Sequence, residues 1–210
     1  GLYVNNKNGD TIFTSEIHAK MLYEKIDKAF EFIKEIVLHT RLDDCKRLKE
    51  ILEELKSRIQ STITQSGDSV ALLKSMSYYS KPYYLKEQTV GISFYKFLEE
   101  ILDNFNEKKE EVISMLKETI KFAFRADKMM VNYAGDRESF EKVKNLVVDL
   151  KREMYQNDTE LEEWEFVPVQ KNEGIKTSGQ VQYVARTGNY NKPGEKMEFN
   201  GSFMVLGNIM

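Results

Sequence analysis

Residues 77–101 read SYYSKPYYLKEQTVGISFYKFLEEI, with five tyrosines and no arginine. The fold turns on whether these rings form a ligand-stacking surface or pack inside something larger. Tyr78 and Tyr79, then Tyr83 and Tyr84, come as adjacent pairs. Neighbouring helical residues do not share a face, so one helix cannot aim all four rings one way. A platform for bases would also want cations beside the rings, and Lys81 and Lys86 supply little of that. The reading that follows is buried packing, with the hydroxyls finding partners at the edge. Pro82 ends or bends the helix before it, because proline lacks the amide donor and restricts its predecessor. Past Gly91 the pattern becomes an ordinary amphipathic helix over 92–103.

Toward the N-terminus, a helix is predicted over 69–80. Before it, Leu48, Ile51, Leu52, Leu55, Ile59 and Ile63 trace one helical stripe, with capping carboxylates in the preceding LDDC. Leu22, Ile26, Ala29, Phe30, Ile33, Ile36 and Val37 trace another over 22–38. Residues 11–21 alternate instead, with Phe13, Ile17, Ala19 and Met21 on one side, which predicts a half-buried strand with His18 facing solvent. KNGD before it is a turn, so GLYV at 1–4 is the partner strand of a hairpin.

Toward the C-terminus, a helix over 107–124 turns Val112, Met115, Leu116, Ile120 and Ala123 inward. DKMMVNYAGD at 127–136 reads as a strand. The helix over 137–154 buries Phe140, Val143, Val147 and Leu150. Residues 155–174 are loose and acidic, with Pro168, and read as an exposed linker. A strand over 175–190, a turn at 192–198 and a helix opening at 199 complete the pattern. The fold class is therefore α+β and helix-rich, a sheet flanked by long helices. The expected division is one α+β domain over 1–156, a linker over 157–174 and the beginning of a second α+β domain over 175–210. The chain opens without methionine and its last helix lacks a polar exit, so it reads as a portion of a longer polypeptide.

Composition narrows the function. The chain has 210 residues, 41% hydrophobic and 31% charged, with a net charge of −3. Lys and Arg alternate with Glu and Asp, so no basic stripe exists for nucleic acid. No apolar run approaches the roughly 20 residues of a membrane span, and no signal peptide is present. A single cysteine, Cys45, rules out an internal disulfide and fits a reducing compartment, in the cytoplasm or an organelle matrix. Cys45 lies beside Lys46 and Arg47, yet three residues before Leu48 on the apolar stripe, where a small core residue is expected. His18 and His39 lack any partner at metal-binding spacing. The acidic pairs Asp43–Asp44, Glu99–Glu100 and Glu110–Glu111, and the run Glu160 to Glu165, read as solvated faces. No phosphate loop or nucleophile elbow occurs. The residues alone assign no catalytic side chain and no metal ligand, and leave substrate binding open.

Three stretches together resemble the insulinase-like zinc metallopeptidases, in the presequence-protease branch. ALLKSMSYYSKPYYLKEQTVGISFYKFLEEI resembles a helix that leads through a loop to a Gly-x-x-x-Tyr/Leu-x-Phe-Leu helix, here Gly91, Tyr95, Phe97 and Leu98. In GQVQYVARTGNYNKPGEKMEFNGSFMVLGNIM, Val181, Tyr183, Val184, Ala185 and Gly201 resemble the strand, turn and helix that begin the last domain of that branch. The strand and helix at 11–38 resemble the start of its third domain. The resemblance implies an internal part of the C-terminal half of a four-domain peptidase, closing as a clamshell around a chamber for unfolded peptides. It implies zinc in the parent enzyme, held in the N-terminal half by a His-x-x-Glu-His motif that these residues lack, so this segment alone is expected to bind no metal and to be inactive. The family's carbonyl-supporting Arg and Tyr belong to an Arg-x-x-x-Gly-Ala-Tyr-Gly run with no counterpart here. The implied partners are unfolded peptides and the N-terminal half of the same chain, with neither nucleic acid nor membrane. The alternative is an independent helical protein-interaction module.

Overall fold

Helices dominate, because most of the chain repeats its apolar residues at the helical period. The computed structural model describes residues 1–4, 11–156, 164–169, 171–177, 180–188, 201, 202 and 205. Strands β1 (Leu2–Val4) and β2 (Thr11–Phe13) pair antiparallel, with Tyr3 opposite Ile12. The helices are α1 (Ile26–Leu38), α2 (Cys45–Gln65), α3 (Gly67–Met76), α4 (Lys81–Val90), α5 (Ile92–Asp103), α6 (Phe105–Ala123) and α7 (Arg137–Glu153). A 3-10 turn, Tyr23–Lys25, leads into α1. The α+β, helix-rich expectation holds, with a two-stranded sheet among the described residues.

Two apolar clusters result. Ile26, Phe30 and Val37 of α1 meet Val143 and Leu150 of α7, with Ala126 and Met154 closing the ends. Leu52 and Ile59 of α2 meet Leu98 and Ile101 of α5 and Phe105 and Val112 of α6. Full burial of a side chain such as Leu98, 1% exposed, stabilises by about 1.5–3 kcal/mol. Cys45 is half-buried against this second cluster. The stripes are narrower than their spacing suggests. Ile36, Ile51, Met115 and Phe140 sit at their margins and remain exposed, and Leu22 precedes its helix and is exposed too. Phe140 rests on the Tyr133 ring, centroids 6.5 Å apart.

The helix starts are chemically marked. Asp44 accepts from Arg47 N at 2.9 Å and caps α2. Asp136 accepts from Ser139 N at 2.7 Å and caps α7, burying Ser139 completely. Such caps are worth about 1 kcal/mol each.

Four expectations fail. The strand over 11–21 stops at Phe13, and Phe13, Ile17 and Met21 stay exposed. A half-buried strand needs a face to lie on, and β2 pairs with β1 alone among the described residues. Residues 127–136 form no strand. A 3-10 turn, Ala126–Lys128, begins there, and buried Arg125 grips Asp127 through Nε to Oδ1 and Nη2 to Oδ2, both 2.9 Å. The described residues of 175–188 form no strand either, because none pairs with another described strand. Pro82 does not end a helix but opens α4, in whose first turn no amide donor is needed. The turn expected at 192–198 lies outside the described residues, as does most of the helix expected from 199. There Val205 N donates to Gly201 O at 3.3 Å, the spacing of a helical turn.

Candidate functional site

The densest polar constellation sits where α3, α4 and α5 meet. Tight connections bring it about. Gly91 ends α4 and begins α5 with a single residue between them. Its φ of −97° is open to any residue, so conformation does not demand glycine there. Space does: a Cβ at Gly91 would stand 2.6 Å from Glu87 O and 2.7 Å from Glu87 Cγ. Before α4, Ser77 is buried and its Oγ donates to Lys74 O at 2.7 Å, closing the last turn of α3.

This folding buries Glu87, 1% exposed. Its Oε1 accepts from Ser93 N at 2.9 Å and from Lys74 Nζ at 3.1 Å, and its Oε2 accepts from Gln88 Nε2 at 3.2 Å. Lys74 Nζ also donates to Ser93 Oγ at 3.0 Å. Burying a carboxylate and an ammonium is expensive, and only good geometry with further hydrogen bonds offsets it. Glu87 and Lys74 have that geometry. Every described side chain with a fully buried nitrogen or oxygen finds a partner.

An extended segment leans on the same corner. Val169 N donates to Tyr78 O at 2.9 Å, and the Tyr78 hydroxyl donates to Glu173. Lys171 Nζ reaches Glu173 Oε1 at 3.0 Å, and Lys74 Nζ lies 4.0 Å from Glu173 Oε2. The Tyr78 hydrogen bond and then Lys171 hold the Glu173 carboxyl at about 2, well below its ordinary 4.5. Desolvation, reinforced by Glu173, pushes the Tyr78 hydroxyl above the usual phenol range. Farther along, the Tyr84 ring lies 5.4 Å from Trp164 and 5.7 Å from Phe166, centroid to centroid. Lys81 Nζ covers the Trp164 ring at 5.4 Å. Ser75 Oγ donates to Thr187 Oγ1 at 2.8 Å.

The tyrosines of 77–101 are thus packing residues, but several face an extended segment rather than helices. Tyr95 stays on α5, under Lys56 Nζ at 5.5 Å. The cations that the local sequence lacks around the rings come from elsewhere: Lys56 from α2 and Lys74, 5.8 Å from the Tyr78 ring, from α3. Sequence reasoning passed over Glu87 altogether. The only signal was an acid among aromatics, four residues before a Gly91 that leaves no room for a side chain.

The other candidates stay apart. His18 is exposed, 3.1 Å from Glu16, and His39 follows the end of α1, also exposed. Asp43 and Asp44 serve α2, Glu99 pairs with Lys56 at 3.1 Å, Glu100 pairs with Lys108, and Glu110, Glu111 and Glu165 are exposed. No three His, Cys, Asp or Glu side chains converge among the described residues. The described donors therefore do not fit a zinc site. No helix among the described residues is long and apolar enough to cross a membrane.

Relatives of known proteins share this corner. Residues 4–101, which include the whole Lys74–Glu87–Ser93 cluster, match the family described as associated with subfamily C of the M16 peptidases. The chain is 36% identical over 195 residues to Protein HypA of Clostridium perfringens, covering 93% of this chain and 20% of that protein. It is 23% identical over 191 residues to Presequence protease 1, chloroplastic/mitochondrial, of Arabidopsis thaliana, covering 90% of this chain and 18% of that protein. An uncharacterized protein of Borreliella burgdorferi is 31% identical over 53% of this chain and 12% of its own length. The chain thus spans no more than a fifth of the length of these relatives. With the aromatic corner and its Gly91 inside the matched residues, the chain belongs to the insulinase-like M16 peptidase family, in the part described as associated with subfamily C.

Proposed function

We propose that this chain is a non-catalytic wall segment of an insulinase-like zinc endopeptidase that degrades unfolded peptides in a closed chamber. The observation that carries the reading is the corner of α3, α4 and α5. It lies in the family-matched residues, and its polar groups are engaged with one another. What such a segment offers the whole protein is shape. Chamber walls need that kind of rigidity, because a chamber selects unfolded chains by excluding folded ones. Zinc, in this reading, is held by residues of the N-terminal half, and the partners of this segment are that half and the peptide inside. An extended peptide would be held through backbone hydrogen bonds, as a strand added to a sheet edge is. The compartment is the cytoplasm of a bacterium or an organelle matrix.

The apolar surface supports a neighbour. Phe32 and Ile36, one turn apart on α1, are 59% and 49% exposed. Ile12 and Phe13 of β2 are also exposed. Apolar groups in such numbers usually meet another surface.

The test compares the intact polypeptide with these 210 residues, using a quenched unfolded peptide. The intact protein is expected to cleave it, a chelator to stop it, and the segment to do nothing. Chelator-sensitive turnover by the segment alone would refute the wall reading. Stable binding without cleavage by the intact protein would favour an interaction module.

A further inference from the structure

A cleft of about 430 Å³ opens between the end of α1, the connection to α2 and the last turns of α6. Its size is that of a small-ligand site. The floor is apolar: Val37 is buried, and Leu38, Leu42 and Ile120 are half-buried. The rim is basic. Lys117 and Lys121 stand one turn apart on α6 around Ile120, and Arg41 stands on the connection. Asp43, 3.8 Å from Arg41 Nε, is the one carboxylate residue lining it among the described residues. A chain of net charge −3 therefore gathers three cations against one carboxylate here. Neither Lys117 nor Lys121 forms an ion pair among the described residues.

The negative end of α1 would oppose an anion. Two of its carbonyls are already taken, however: Ile36 O accepts from Thr40 Oγ1 at 2.5 Å, and Glu35 O from His39 N at 3.0 Å. An inorganic phosphate would use the rim and leave the apolar floor wet. An apolar molecule without charge would leave the lysines unused. We infer that the cleft binds an apolar group ending in a carboxylate, its anion between Lys117 and Lys121 and its apolar end on Val37, Leu38 and Ile120. Two sources share that chemistry, the free C-terminus of a peptide with an apolar last residue and a fatty carboxylate. The inference does not depend on the peptidase reading.

Lysine acetylation followed by mass spectrometry tests it on the intact polypeptide that carries these residues. The probes are N-acetyl-Leu-Leu as free acid, the same dipeptide as C-terminal amide, and decanoate. The free acid should slow acetylation of Lys117 and Lys121 about threefold or more, leave Lys96 and Lys151 unchanged, and exceed the amide. Protection by decanoate as well shows that the carboxylate-tailed apolar group is what is read, and protection by the dipeptide acid alone assigns a peptide terminus. Equal protection by the amide, or none from either acid at millimolar concentration, overturns the inference. The double variant Lys117→Gln, Lys121→Gln removes two charge-assisted contacts from an exposed surface and should keep the fold. It should weaken the protecting acid about tenfold by calorimetry. Unchanged affinity also overturns the inference.

Discussion

Helix α5 and the α3–α4 pair are neighbours in the chain, yet different forces seat them. In α5, Ile92, Leu98 and Ile101 are buried, and the last two join α2 and α6 in one apolar cluster. In 67–90 the buried residues are Gly67, Ser77 and Glu87. That pair is held by a carboxylate with three donors, by rings at its edge, and by an extended segment from about 90 residues downstream. Apolar burial is non-directional, so α5 needs only a face of the right period. The α3–α4 corner needs partners at defined angles, and losing one leaves a charge stranded.

Four measurements break or sharpen this contrast, from the largest effect down. Glu87→Ala should cost about 3–5 kcal/mol in urea unfolding, since it leaves Lys74 poorly paired in the interior. The joint change of Lys74 to Met and Glu87 to Leu should cost less than that single change, because a buried pair is replaceable by apolar groups. A single-variant loss under about 1 kcal/mol would reduce the pair to decoration.

Leu98→Ala should follow at about 2–5 kcal/mol, from lost transfer energy and the cavity left behind. If it cost nothing measurable, the α2–α5–α6 cluster would not be the core described above. Gly91→Ala should cost about 1–3 kcal/mol, as crowding rather than lost contact. Its effect should shrink in a Glu87→Ala background, where one of the two clashing partners, Glu87 Cγ, is gone. Full additivity would mean that the glycine acts elsewhere.

The smallest effect is read by light. Trp164 is the one tryptophan of the chain, and its emission reports whether the extended segment lies on α4. Glu173 is held at about 2 against an ordinary 4.5. Its contribution is therefore complete above pH 4.5 and disappears as pH falls through about 2. Trp164 emission should shift over that interval, and Glu173→Gln should shift it already at neutral pH. Tyr78 runs the other way. Its raised hydroxyl contributes below the ordinary phenol value and loses that contribution as pH climbs past its own. Emission unaffected by Glu173→Gln would show that the aromatic contacts hold the segment by themselves.

Legibility in the sequence followed the same divide. Helix α5 begins and ends where its spacing says, and α1, α2, α6 and α7 lie within a few residues of expectation. Their apolar repeats carry enough buried area to override local detail. Helix α4 escaped notice because proline was read as a stop, although in a first turn it costs no hydrogen bond. The strands expected at 14–21, 127–136 and 175–188 failed because alternation describes a surface and not its partner. Glu87 was invisible for a related reason: its donors come from α3 and from the start of α5, and no local pattern announces their meeting.

The candidate site divides likewise. That the tyrosines pack rather than stack a ligand followed from their adjacent pairing alone. Which surface they meet did not. Tyr84 meets Trp164 and Phe166, and Tyr78 meets Glu173, across 80 to 95 residues of chain.

By itself the sequence determined the helical periods, the caps at Asp44 and Asp136, the hairpin at β1–β2 and the family. Each of these depends on neighbours within a turn or two, or on the order of motifs along the chain. Only the tertiary structure decided which acid is buried, why residue 91 must be glycine, and that Lys117, Lys121 and Arg41 border one apolar cleft. Those outcomes depend on distances between elements, and free energy at such contacts is set by geometry that no local stretch encodes.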